Sequence, residues 1–313
     1  GAWFVLGPRV FATAFVSCCI TAAILLANST RSCLIITAGN SYQLMWAFDK
    51  MRTDKSRSGL FTGWSLASRE ASRGGYPVQI YAHLYFILHG FGFWSRWVFK
   101  KALNRPIDPV FERSLLQKIF FNYLSMLQKN GIIELDISGM QDCKNWERSI
   151  IAPNHPSILD AGFLISLVPS MNCVMKSSLL RNPVASGAVQ LGNFIQNDSP
   201  MAFMKMCKSE LASGSNILIF PEGTRTLEKP VNAFRPTYAL VAKAASAPVR
   251  TVLIECDSDY FGKNFSHFKP AKCPVRFRVR AGQVFDPDSF SGARQLSEEI
   301  EKYFRQELAN SSL

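Results

Sequence analysis

"SIIAPNHPSILDAGFL", Ser149 to Leu164, carries a strand, a loop and the start of a helix in one continuous run. Ile150 and Ile151 sit in a short, wholly apolar stretch of the kind that fills a buried strand. Pro153, Asn154, His155 and Pro156 interrupt it. From Ser157 to Leu167 apolar residues then return at helical spacing. His155 and Asp160 are five residues apart, and on a continuous α-helix such positions end about 140° from each other. The two side chains can therefore meet only across a break. The expected arrangement puts His155 on the loop that ends the strand and lets Pro156 open the helix, where a missing N–H costs nothing. Asp160 then comes round in the early turns.

The same alternation extends outward. "SLLQKIFFNYLSMLQKN" repeats apolar residues at helical spacing and stops at Asn130-Gly131. "IIELDISGM" alternates as a strand. After the opening stretch come strand "NCVM", a helical run from Leu179, strand "NFIQ", a helix from Ser199 to Ser213 with Ser199 as its cap, and strand "NILIF". "VRTVLIE" and "PVRFRVRAGQVF" read as further strands, and Gly292 to Ala309 as a charged amphipathic helix. Strands alternating with helices imply an α/β fold, a largely parallel sheet flanked by helices, over residues 111–313. In such sheets ligands bind outside the carboxyl ends of the strands.

Residues 1–110 have a different texture and read as an N-terminal membrane-associated helical region. "VFATAFVSCCITAAILLA", Val10 to Ala27, is uncharged, and a shorter apolar run, "CLIITAG", follows. Eighteen helical residues reach about 27 Å, marginal for a hydrocarbon core of about 30 Å, so this segment either spans with tilt or enters one leaflet. A cleaved signal peptide is the rival reading, weakened because only Arg9 precedes the run. Gly1 in first position implies that the natural chain starts upstream. The cluster Lys50, Arg52, Lys55, Arg57, Arg69 and Arg73 then suits a cytoplasmic flank facing anionic lipid. "YAHLYFILHGFGFWSRWVF", Tyr81 to Phe99, is aromatic and followed by Lys100, Lys101 and Arg105, an interfacial pattern in which His83 and His89 read as incidental.

The chain has 313 residues, 48% of them hydrophobic, and a formal net charge of +12. That pairing suits a membrane-associated protein, and the absence of any finger, basic helix or aromatic ribonucleoprotein motif argues against nucleic acid. Eight cysteines without a C-x-x-C pair favour a reducing compartment and apolar packing roles over zinc or disulfides.

Two features fall at strand carboxyl ends: "NHPSILD" after "SIIAP", and "PEGTR" after "NILIF". A neutral His155 can take a proton from an alcohol if Asp160 fixes its tautomer and offsets the imidazolium charge. Gly223 lets the backbone approach a ligand, and Arg225 offers forked donors suited to phosphate. Taken alone, a histidine and an aspartate at this spacing are as well explained by a polar pair capping a helix.

In this order the two motifs, "NHPSILD" and "FPEGTR", resemble the glycerolipid and lysophospholipid acyltransferase family, the 1-acylglycerol-3-phosphate acyltransferases among them, over roughly Ile132 to Val284. The resemblance implies direct acyl transfer from a thioester, acyl-CoA or acyl carrier protein, to a lipid hydroxyl, without a bound cofactor or metal. It makes His155 the general base and Asp160 its partner. Asn154, Glu222, Gly223, Thr224 and Arg225 would shape the acceptor and phosphate site, and Lys176, with Arg181 a weaker candidate, matches a basic position in "VMKSSLLRNPVASG". Membrane lipids and the thioester donor are the implied partners, and the cytoplasmic face of a bacterial inner membrane the implied location.

The chain also departs from the family. Where a strand usually closes on Ile-Asp-Arg it reads Ile195, Gln196, Asn197, Asp198, and "FRPTYA" carries Thr237 where glycine is expected. These changes weaken the case for a phosphate monoester acceptor. They are similar to a divergent branch such as the acyltransferases accompanying bacterial aryl-polyene pathways. Two rival readings stand: a thioester or lipid hydrolase in which His155 activates water, although "GWSLA" is the nearest approach to a serine-hydrolase elbow, and a degenerate member that only binds lipid or assembles with partners.

Overall fold

In the computed structural model, which describes residues 76–263 and 273–309, seven strands form one sheet. They are β1 (Ile133–Gly139), β2 (Ile150–Pro153), β3 (Met171–Met175), β4 (Ile195–Gln196), β5 (Asn216–Leu218), β6 (Val249–Cys256) and β7 (Val275–Phe285), in the order β1-β7-β6-β2-β5-β3-β4. Every pairing is parallel except β6 with β7, so the largely parallel sheet expected from the sequence is present. The apolar run Val10–Ala27, "CLIITAG" and the basic segment up to residue 75 lie outside the described residues.

The described residues also form seven α-helices: α1 (Tyr76–Ala102), α2 (Pro109–Lys129), α3 (Asp160–Leu167), α4 (Pro183–Leu191), α5 (Pro200–Ala212), α6 (Thr237–Ala245) and α7 (Ala293–Ala309). Successive side chains of a strand point to opposite faces, and β2 is buried along its whole length. Ile150 and Ala152 join Ile217, Val249 and Leu253 in one core with α5, α6 and α7. The opposite face receives α2 and α3, where Phe163 meets Phe277 of β7 edge-on at 4.9 Å.

Several boundaries differ from the sequence reading, each for a local reason. Helix α2 starts at Pro109, across the boundary set at residue 110, because the Asp108 side chain accepts the Val110 and Phe111 N–H groups at 3.0 and 3.2 Å. The run from Leu179 divides: Ser177–Arg181 is a 3₁₀ turn, and α4 begins after Asn182, which caps Val184 at 2.9 Å. Ser199 stands at the cap of α5, but its side chain makes no capping bond. Helix α6 was not anticipated, although Tyr238, Ala239, Val241 and Ala242 carry its buried stripe at helical spacing.

Helix α1 extends beyond the aromatic stretch and packs chiefly on α4. A Cβ on Gly90 would overlap the Val184 carbonyl, and one on Gly187 would overlap the Trp94 backbone, so the two helices approach as closely as only glycine permits. Beyond that contact α1 exposes Leu84, Phe86, Ile87, Leu88, Val98 and Phe99, and the side chain of Trp94 is exposed at its edge. Between α1 and α2 the carboxylate of Glu112, with no exposed surface, holds Arg96 at 2.9 Å and Lys100 at 3.0 Å.

Candidate active site

Strands β2 and β5 are neighbours, and the chain leaves β2 toward β3 but leaves β5 toward β6, in opposite directions across the sheet. Such a reversal opens a crevice at the carboxyl ends. The Asn154–Leu159 loop and the Pro221–Arg225 turn lie there side by side.

His155 donates from Nδ1 to Asp160 Oδ2 at 2.8 Å. The helix does not begin at Ser157 or Pro156, as the spacing suggested, but at Asp160 itself. Ser157 holds the loop open instead: its N–H donates to Asp160 Oδ2 at 2.7 Å, its hydroxyl donates to Oδ1, and its oxygen accepts Leu159 N–H at 3.0 Å. Complete burial pushes the Asp160 carboxyl above its ordinary range, offset by His155 and Ser157. With donors converging on both oxygens, the site is built around the carboxylate. With Nδ1 engaged by Asp160, Nε2 is the ring nitrogen left for a ligand in the cleft that His155 lines. The ring stacks on Phe220 at 3.8 Å and retains 19% exposure of its side chain, enough to reach a substrate.

The second motif grips the backbone of His155 from both sides. Its N–H donates to Glu222 Oε1 at 2.8 Å, and its carbonyl accepts Thr226 N–H at 2.7 Å. Glu222 also accepts the Thr226 hydroxyl at 2.8 Å and Asn232 N–H at 2.9 Å. Burial pushes its carboxyl up as well, against these donors. Glu222, 2% exposed, therefore joins the two loops that border the cleft. Asn154 is likewise engaged by the chain itself: its amide donates to the Ile254 carbonyl and accepts Ile254 N–H, both at 2.8 Å, which extends the β2–β6 pairing.

Gly223 lies at φ +66°, the left-handed region that glycine enters freely. The Arg235 guanidinium sits over it, with Nε 3.1 Å from where a Cβ would be, in a segment anchored by Arg235 N–H to the Pro221 carbonyl at 2.8 Å. Arg225, read from the sequence as a phosphate fork, gives Nη1 to the Gly262 carbonyl at 2.6 Å. Its first duty is to the chain's own loop. Arg235, noted in sequence only as part of an altered block, is the cation laid over the glycine turn.

From His155 a cleft of about 700 Å³ runs between α1, α2 and α4, its apolar part lined by Phe93, Leu116, Phe120, Val189 and Phe194. Lys176, Thr224, Arg225, Arg235 and Asn197 line its polar mouth, and Arg181 is exposed on the turn that follows Lys176. Neutral Asn197 thus occupies the strand-end position where a basic residue was expected. His89, read as incidental, also lines the cleft. The thiols of Cys173 and Cys207 are buried and pushed up to about 12, as packing residues would be. Among the described residues no group of three or more His, Cys, Asp or Glu side chains gathers as metal ligands do.

Residues 134–255 match the family model described as acyltransferase. The chain is 24% identical over 170 residues to a 1-acyl-sn-glycerol-3-phosphate acyltransferase of Chlamydomonas reinhardtii, covering 52% of this chain and 51% of that one. It is 24% identical over 128 residues to a chloroplastic 1-acyl-sn-glycerol-3-phosphate acyltransferase of Arabidopsis thaliana, covering 39% and 36%. It thus spans about half the length, or less, of these curated relatives. The crystal structure of the 1-acyl-sn-glycerophosphate acyltransferase of Thermotoga maritima superposes with a TM-score of 0.52 at 19% identity, covering 63% of this chain and 78% of that one, a likeness of fold.

Proposed function

We propose that this chain, whose residues 134–255 match the acyltransferase family model, moves an acyl group directly from a thioester to the hydroxyl of a lysophospholipid or related lipid alcohol. The observation that carries the reading is the 2.8 Å bond from His155 Nδ1 to a fully buried Asp160, at the mouth of an apolar cleft. In this mechanism Nε2 of His155 removes the alcohol proton as its oxygen attacks the thioester carbonyl. When the tetrahedral intermediate collapses, the sulfur departs with the carbonyl bond's return and takes that proton from the imidazolium. Asp160 holds the tautomer and offsets the transient charge. Acid–base help of this kind is worth roughly 10²- to 10⁴-fold.

The apolar cleft supports a chain-binding role, and Lys176 and Arg235 at its mouth support an anionic headgroup or donor phosphates, whether the donor is acyl-CoA or acyl carrier protein. With neutral Asn197 at the mouth, the acceptor extends beyond a phosphate monoester, in keeping with a divergent branch of the aryl-polyene-associated type. The exposed apolar residues of α1, ending in Lys100 and Lys101, support work at the cytoplasmic face of a membrane, the inner membrane in a bacterium. Among the described residues, no helix is long and apolar enough to cross one.

The test is to incubate labelled acyl thioesters with a panel of lysolipid acceptors, comparing wild type with His155→Ala. Acyl transfer predicts acceptor-dependent loss of thioester and a new acyl lipid, both absent in the variant. Loss of thioester without acceptor would establish a hydrolase, and intact lipid binding without turnover a degenerate member.

A further inference from the structure

The apolar end of the cleft contains two polar side chains whose hydrogen-bonding capacity the protein does not use. His89 on α1 donates Nδ1–H to the Tyr85 carbonyl at 2.8 Å, with its ring stacked on that of Tyr85 at 4.0 Å. A carbonyl only accepts, so the proton lies on Nδ1 and Nε2 keeps a lone pair without a partner among the described residues. Burial lowers the His89 pKa and so holds the imidazole neutral. The Tyr85 ring also has that of Tyr123 of α2 at 5.5 Å between centroids. Its hydroxyl has no hydrogen-bond partner among the described residues, and burial pushes its pKa up to about 12, so it remains a phenol that can donate. Both side chains line the cleft.

An unsubstituted alkyl chain laid along this wall would leave one acceptor and one donor without partners. Desolvating such a group without compensation weakens binding by about tenfold. A hydroxyl on the chain has what each of them lacks, a proton to give His89 Nε2 and a lone pair to accept from Tyr123, so it can answer whichever group it reaches. A ketone could accept from Tyr123 but has nothing to give His89. We infer that the cleft selects acyl chains carrying a hydroxyl group, with His89 and Tyr123 as the specificity-determining residues. The inference rests on the acyl-transfer reading for its substrate class but not on His155 for its geometry.

The test offers matched pairs of acyl thioesters of one length, plain, hydroxylated at successive positions, or ketonic, and measures kcat/KM for wild type, His89→Phe and Tyr123→Phe. In wild type the hydroxylated donor should lead the plain one by about tenfold or more at one position along the chain. The ketone should fall between them. His89→Phe should bring the ratio close to one, and Tyr123→Phe should lower it several-fold. Displacement of a fluorescent fatty acid by hydroxylated and plain fatty acids, in the His155→Ala background, gives the same ratio without turnover. If no thioester reacts with any acceptor, the acyl-transfer reading fails while displacement still decides selectivity. Equal affinity and equal kcat/KM at every hydroxyl position, or a preference that survives His89→Phe, would overturn the inference.

Discussion

At one end of the cleft His155 stacks on Phe220 at 3.8 Å and gives its Nδ1 proton to a buried carboxylate at 2.8 Å. Elsewhere in its lining His89 stacks on Tyr85 at 4.0 Å and gives its Nδ1 proton to a backbone carbonyl, also at 2.8 Å. The two imidazoles share a tautomer and a packing mode, yet their partners differ in charge. A carboxylate attracts the imidazolium and so supports an acid–base cycle. A neutral carbonyl offsets burial only in part, so His89 is biased toward its neutral form. In the proposed chemistry the suitability of a histidine therefore depends less on where it sits than on what stands behind it.

The sharpest way to break the contrast is to remove the charge behind His155. Asp160→Asn keeps the shape but takes away the carboxylate, so kcat should fall by about 10³- to 10⁴-fold with KM little changed, as His155→Ala should also show. A smaller loss is expected one layer out. Glu222→Gln points an amide NH₂ at a backbone N–H, either that of His155 or that of Asn232. Steady-state kinetics should show kcat lower by about 10- to 100-fold, because the base is misplaced while its proton chemistry is intact.

The wall that carries His89 depends instead on a buried ion pair. Glu112→Ala leaves Arg96 and Lys100 near the surface but unpaired, and urea unfolding should register about 1–3 kcal/mol of lost stability, below the usual cost for fully buried partners. The smallest effect sharpens the comparison through pH. Because the folded pKa of His89 lies below its ordinary 6.5, the unfolded chain binds more protons as pH falls below that value. Its contribution to stability is therefore present above about pH 6.5 and lost on acidification through the folded pKa. Melting temperature should drop between about pH 6.5 and 5 less steeply in His89→Phe than in wild type.

Much of the crevice was legible along the chain. The apolar run ending in Pro153 placed a buried strand, and the five-residue interval between His155 and Asp160 required a break that the loop supplies. What sequence left obscure involves partners distant in the chain. Glu222 and Asn154 resemble substrate contacts until their acceptors and donors appear, on backbone groups 67 and 100 residues away. Arg225 was read by its side chain's chemistry alone, and the carbonyl that occupies it lies 37 residues further on. His89 was dismissed because nothing in an apolar aromatic stretch says which face meets a cleft.

By itself, then, the amino-acid order determined the alternation of strand and helix, and the pairing of a histidine with a carboxylate at the end of β2. Both arise from short-range periodicity and loop chemistry, which neighbouring residues specify. Only the tertiary structure decided which polar groups stay available. The β2–β5 pairing lets Glu222 seize the His155 backbone, and the glycine contact of α1 with α4 sets His89 and its free lone pair against the same cleft. Availability is what remains after every partner in space has been counted, and linear order does not contain that count.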